Sequence, residues 1–314
     1  MPRTAFISHP DTLQHVMDGQ HPESPARITA IQQAVAASDI HTKLDYYQAP
    51  EATKVELKRV HSADYVEYIH RIAPKAGLVR LDGDTAMGPM SLSAALHASG
   101  ALVLATELVL NRKAANAFCC IRPPGHHAGH ANSAGFCIFN NVAVGVAHAM
   151  SEYKLKRIAI IDFDVHHGDG TEDIFKDNPN VLLCSTFQHP FYPYRGADSR
   201  SDHMINIPLA AKSDGTKIRT VFNEEFEPAI AAFRPELIYI SAGFDAHIQD
   251  PLADLALSTD DYRWMTETIC AWSRKYQSKG VISSLEGGYH LSSLAESALT
   301  HIKTLTKHNA KENV

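Results

Sequence analysis

Ile158-Ala159-Ile160-Ile161-Asp162-Phe163-Asp164-Val165-His166-His167-Gly168-Asp169-Gly170 is the stretch on which the reading of this chain turns. Ile158 to Ile161 is apolar at every position. A strand apolar on both faces belongs in a parallel sheet covered by helices on both sides. Where that strand ends, aspartates and histidines crowd together. Leu237-Ile238-Tyr239-Ile240 repeats the two-faced apolar pattern. Strand-like runs at 4–8, 116–121, 157–163, 181–186, 203–207, 236–241 and 280–285 alternate with helical periodicity at 24–37, 61–73, 91–112, 138–153, 216–232, 260–278 and 292–307. This alternation predicts one α/β domain over 1–314, with the polar end from Lys307 to Val314 expected to fray.

Ligands gather beyond the carboxyl ends of strands in such sheets. His126 and His127 follow run 116–121. Asp162, Asp164 and His166 end run 157–163. Asp245 follows 236–241, and Glu286-Gly287-Gly288-Tyr289 follows 280–285. Four strand ends thus direct polar groups toward one edge. The aromatic, proline-rich segment 187–203 reads as a long ordered loop of the kind that builds binding sites.

Composition narrows the partners. The chain has 314 residues, 45% hydrophobic and 20% charged, with a formal net charge of −6. That is an ordinary globular balance, and it argues against broad binding to a nucleic-acid backbone. No unbroken apolar run of membrane-spanning length is visible, and neither a membrane span nor a signal peptide is expected. The five cysteines show no C-x-x-C spacing and read as buried free thiols in a reducing cytoplasm. His97 and His148 fall on helical segments, and His61, His70, His301 and His308 read as surface residues.

Asp164 and His166 stand two apart on an extended strand end, so both face one side. With Asp245 they form a two-carboxylate, one-imidazole set suited to zinc or a similar divalent ion, with positions left for water and substrate. Asp245 alone would read as a loop-holding carboxylate; the set reads as a metal site. His126 and His127 follow a Pro-Pro-Gly turn, and Asp162 and Asp169 offer one carboxylate for each. Such a pairing fixes a tautomer and raises the basicity of the other nitrogen. Tyr289 follows two glycines that can turn its phenol into a cleft, where the O–H could stabilise an oxyanion; taken alone it would read as a packed loop aromatic.

These motifs, with His21-Pro22-Glu23-Ser24-Pro25-Ala26-Arg27 and Gly135-Phe136-Cys137-Ile138-Phe139-Asn140-Asn141, resemble the histone deacetylase family over nearly the whole chain. The Glu-Gly-Gly-Tyr form looks like its class II and bacterial branch. The resemblance implies the arginase–deacetylase fold, with a mostly parallel sheet of about eight strands between helices. It implies a catalytic zinc, or ferrous iron, on Asp164, His166 and Asp245. His127 would be the general base and His126 its electrostatic partner. Asp169 would orient His127, and Asp162 would orient His126. Tyr289 would polarise the acyl carbonyl. Gly135, Phe136 and Tyr192 would line a narrow channel for the acyl-lysine stem. A structural potassium ion would sit near Asp162, Asp164, His166, Ser185 and Thr186.

The rival of this fold is a two-manganese arginase-type site. It wants aspartates at positions held here by Gly168 and His247, so a mononuclear site is expected. Polyamine deacetylases of the class II branch carry a glutamate where this chain has Leu252, so Leu252 favours a neutral-stemmed substrate. The expected reaction is zinc-dependent hydrolysis of an N-acetyl amide of acetyl-lysine type, on a small molecule or peptide. The alternatives are an acetylpolyamine amidohydrolase and a silent acyl-lysine-binding protein. No nucleic-acid partner is expected; loops 74–90 and 187–203 could form a channel rim or an oligomer interface.

Overall fold

The structure, a computed structural model, describes residues 2–308. Eight strands form one sheet: β1 (Thr4–Ser8), β2 (Leu44–Gln48), β5 (Asn116–Cys119), β6 (Ile158–Asp162), β7 (Val181–Gln188), β8 (Met204–Leu209), β9 (Leu237–Ala242) and β10 (Val281–Leu285). A two-stranded antiparallel ribbon, β3 (Val79–Arg80) with β4 (Ala86–Met87), stands apart from it. The order in the main sheet is β2-β1-β5-β10-β9-β6-β7-β8. Every pairing in it is parallel.

Helices cover both faces. On one side α4 (Ser91–Leu110) packs on α5 (Asn141–Tyr153), with α2 (Lys54–Leu57) at the flank and Tyr65, Val66 and Ile69 of α3 (Ala63–Ile72) in the same apolar layer. On the other, α1 (Ala26–Ala36), α9 (Thr259–Lys275) and α10 (Leu291–Lys307) pack together. Ile158 and Ile160 join the first apolar layer, and Ala159 and Ile161 the second. That is the burial expected of a strand apolar on both faces.

Several expectations need correction. Run 216–232 is not one regular helix. It divides into α7 (Gly215–Val221), a wide π turn over Phe222–Phe226, and α8 (Glu227–Phe233). Pro228 lacks the N–H that would continue the ladder, and the widening falls just before it. Strand β2 and helix α6 (Asp169–Phe175) carry too little apolar pattern to be seen in the sequence. His61 and His301 are not surface residues: they are 1% and 0% exposed. His301 lies between Thr266 Oγ1 and Ser283 Oγ at 2.7 and 2.8 Å, so its burial leaves neither ring nitrogen unpaired. Helix α4 is long and apolar enough to cross a membrane by length and composition, yet 72% of that window is buried inside the protein, which makes it a core helix. All five cysteines are free and buried. Lys307 ends α10, and residues 309–314 of the expected tail lie outside the described residues.

Candidate active site

The four strands whose ends were expected to converge are neighbours in the sheet, in the order β5-β10-β9-β6. Adjacent parallel strands present their carboxyl ends side by side, about 4.8 Å apart. The loops leaving them therefore meet in one crevice.

Asp164 and Asp245 are each 1% exposed. His166 Nδ1 lies 3.0 Å from Asp164 Oδ1 and 3.2 Å from Asp245 Oδ2. Backbone donors aim the carboxylates: Gly287 N–H donates to Asp164 Oδ2 at 2.8 Å, and Val165 N–H to Asp245 Oδ1 at 3.0 Å. Asp245 Oδ2 is buried without a hydrogen-bond partner. Burial, and then the charge of Asp164, push Asp245 up to about 7. Two carboxylates around one imidazole nitrogen, one of their oxygens unsatisfied, are the environment a cation relieves. Candidate ligand atoms of the three residues lie within 4.8 Å of one another, so the donor set fits a divalent metal.

Two histidine–aspartate pairs stand beside this cluster. His126 Nδ1 is 3.0 Å from Asp162 Oδ2, and His127 Nδ1 is 2.8 Å from Asp169 Oδ1. The two imidazoles lie 4.1 Å apart, centroid to centroid. Their electrostatics diverge. Burial opposes charge on His126, but Asp164 and Asp162 hold it well above its ordinary value. Burial and the neighbouring His126 lower His127 to about 4 against the pull of Asp169. One ring is thus biased cationic and the other neutral, the split that assigns distinct proton-handling tasks.

Tyr289 is placed by its backbone. Its N–H donates to Asp250 Oδ2 at 2.6 Å, and the Arg27 guanidinium lies 4.9 Å from its ring centroid. Arg27 Nε donates to the Gly288 carbonyl at 2.6 Å. Arg27 and Arg122 share the buried carboxylate of Glu23. Burial raises the Tyr289 phenol well above its ordinary value despite Arg27, so the O–H is intact at neutral pH.

The imidazoles and Tyr289 face a narrow pocket of 180 Å³. Gly135, Phe136, Tyr192 and Leu252, all expected there, line it together with His126, His127, His166 and Tyr289. Tyr192 sets its ring edge toward His127 at 5.1 Å, and Phe191 stacks on His166 at 5.6 Å. The sequence reading missed Phe191, Pro124 and Asp84, which also line the pocket. It also assigned no task to Asp250 or Glu286. Glu286 Oε2 accepts from Gly125 N–H at 2.7 Å and His126 N–H at 3.2 Å, which fixes the histidine loop. The acid before the double glycine was a visible signal for Glu286; Asp84 comes from a distant loop with none.

Ser185 stands beside Asp162 in the β6–β7 register, and both are fully buried. Ser185 Oγ and His167 Nδ1 are 3.2 Å apart.

Comparison with known proteins agrees with this fold. The histone deacetylase domain matches residues 21–305. An uncharacterised protein of Synechocystis is 38% identical over 96% of this chain and 99% of its own length. A probable deacetylase of Archaeoglobus fulgidus is 34% identical over 91% of this chain and 81% of its own. The crystal structure of the HDA15 HD domain superposes with a TM-score of 0.91 at 31% identity, covering 99% of this chain and 90% of that one. The chain belongs to the histone deacetylase family and is a deacetylase of the arginase–deacetylase fold.

Proposed function

We propose that this deacetylase hydrolyses an N-acetyl amide of acetyl-lysine type, with zinc on Asp164, His166 and Asp245, releasing acetate and a free amine. The observation that carries the reading is that His166 of the metal-fitting cluster, the imidazoles of both histidine–aspartate pairs and Tyr289 line one narrow pocket. When bound, the ion supplies Lewis acidity toward the amide carbonyl and the attacking water.

The chain's own groups do the rest. His127 is neutral at pH 7, and its Nδ1–H donates to Asp169, so Nε2 is free to take a proton from water. It then returns that proton to the leaving amine, which an amide needs because its nitrogen is a poor leaving group. A positioned acid–base histidine contributes about 10²–10⁴ in rate. His126, whose Nδ1 is paired with Asp162, a carboxylate outside the metal cluster, stabilises negative charge as the carbonyl is attacked. The Tyr289 O–H donates to the carbonyl oxygen. Phe136, Gly135 and Tyr192 hold an extended aliphatic stem and exclude water. A structural potassium ion near Asp162, Asp164, His166, Ser185 and Thr186 is part of the same proposal; the buried, adjacent Asp162 and Ser185 support it.

Acetylpolyamine is the second reading. The Asp84 carboxylate in the pocket wall favours a cationic substrate, and Leu252 favours a neutral stem. The test is turnover of a fluorogenic acetyl-lysine peptide beside N-acetylputrescine, after reconstitution with zinc or with ferrous iron, and with an EDTA control. EDTA-sensitive cleavage of the peptide alone, restored by zinc, is expected. Preference for N-acetylputrescine would overturn the substrate and keep the chemistry. No turnover of either would overturn both substrate readings.

A further inference from the structure

We propose that His9, Asp11, His97 and Glu51 form a second divalent-metal site, of zinc type, at the open edge of the sheet and outside the catalytic pocket. Three elements bring them together. His9 and Asp11 belong to the short turn that follows β1, Glu51 follows β2, and His97 stands on α4. Candidate ligand atoms of His9, Asp11 and His97 lie within 4.8 Å of one another.

The polar accounting shows what is missing. His97 Nδ1 donates to the Ala49 carbonyl at 2.8 Å, which leaves Nε2 as a bare acceptor in the neutral ring. That nitrogen lies 3.7 Å from Asp11 Oδ2 and 3.8 Å from Glu51 Oε1, both acceptors and both beyond hydrogen-bond distance. His9 Nδ1 carries its lone pair too, which in the metal-free chain accepts from Asp11 N–H at 3.2 Å and would exchange that donor for the ion; it lies 3.7 Å from Asp11 Oδ1. The two imidazoles stack at 3.4 Å with their planes 13° apart.

Protons satisfy this arrangement poorly. Two stacked imidazolium rings would repel. Burial and the neighbouring His97 already hold His9 below its ordinary value, against Asp11 and Glu51. A single divalent ion answers the imidazoles and the carboxylates together.

The spacing suits such an ion. Ligands about 2.0–2.2 Å from a tetrahedral zinc lie about 3.3–3.6 Å from each other. The gaps from His97 Nε2 to the two carboxylates, 3.7 and 3.8 Å, need a small contraction, and the His9 ring, stacked on His97, must turn to aim its nitrogen at the same ion. Ser93 Oγ donates to Asp11 Oδ2 at 2.6 Å, and the Ala49 carbonyl fixes the His97 tautomer; both pre-orient ligands. His9 also lines an open groove of 440 Å³ beside Tyr46, which gives an ion an entry path.

The test is a zinc titration of the metal-free full chain against a chromophoric competitor, at micromolar zinc and neutral pH. Wild type should bind two equivalents. His97→Gln and, separately, His9→Gln should each bind one and keep deacetylase turnover. His166→Ala should also bind one, and it should lose turnover. The combined His97→Gln/His166→Ala chain should bind none. Circular dichroism checks the fold of each variant, and having two imidazole variants covers the misfolding of either. A single equivalent in wild type that His166→Ala abolishes would overturn the second site and leave the catalytic one standing. A second equivalent that survives in both folded imidazole variants would overturn it too.

Discussion

Tyr289→Phe removes one oxygen and little else. The ring keeps its edge-on contact with Phe136 at 6.1 Å and its place under Arg27 at 4.9 Å. The backbone stays tied to Asp250 through Tyr289 N–H at 2.6 Å and His290 N–H at 3.2 Å. Packing and loop position are therefore unchanged, and so is the metal-fitting cluster, to which Tyr289 contributes no ligand atom. What is lost, on the proposed mechanism, is a donor to developing negative charge inside the narrow pocket. Loss of one such donor lowers kcat by about 10²–10³, or about 2.7–4 kcal/mol of transition-state stabilisation. The assay is steady-state turnover of an acetylated lysine peptide by zinc-loaded protein, with zinc stoichiometry measured on the same samples. The expected result is a kcat down by that factor, with KM and stoichiometry close to wild type. A kcat close to wild type would refute the oxyanion role. A parallel loss of zinc would show that the change acted through the cluster instead.

Gly135→Ala puts a Cβ 2.8 Å from His127 Cγ and closer still to Cδ2, at a φ of +52°. The left-handed backbone costs about 1–2 kcal/mol, and displacing His127 should forfeit much of its ~10²–10⁴ catalytic contribution. A stable variant with full kcat would contradict the contact. Leu252→Glu should shift the ratio of N-acetylputrescine to acetyl-lysine peptide turnover by about tenfold, near 1.4 kcal/mol; an unchanged ratio would remove Leu252 as a specificity gate. Burial acts to raise Glu23, but Arg122, His15 and Arg27 hold it down to about 2, against an ordinary 4.5. Its folded value is depressed, so its contribution is fully present above about pH 4.5 and is lost as pH falls toward 2, about 3 kcal/mol in all. Glu23→Gln should abolish that part of the acid dependence, and should destabilise at pH 7 by about 3–5 kcal/mol by leaving buried arginine charge uncompensated. Parallel urea-denaturation curves for the two proteins from pH 5 to 2 (a range of about 3 units) would argue against it.

The central strands and their polar ends were legible because a two-faced apolar strand and a polar strand end are both local patterns. Ile158–Ile161 with Asp162–His166 is the clearest case. Strand β2 was not legible: Leu44-Asp45-Tyr46-Tyr47-Gln48 pairs on one side only and buries only Leu44. The burial of His301 depends on Thr266 and Ser283, remote partners that no short window contains. Asp84 reaches the pocket from the loop between β3 and β4, where nothing in its neighbours marks it. The pairing of His126 with Asp162 and of His127 with Asp169 follows from how the loops cross in space, so the residues alone left it open.

Mounting the site on four adjacent central strands has a consequence for how the protein comes apart. The strands β5, β10, β9 and β6 have a hydrogen-bonded neighbour on both sides. Their amides can exchange with solvent only when the middle of the sheet opens, and such amides report the global unfolding free energy. The polar crevice should therefore rest on the slowest-exchanging part of the sheet, while β2 and β8 at the rims should open locally. On heating, catalysis should vanish together with the last protected amides, in one cooperative event.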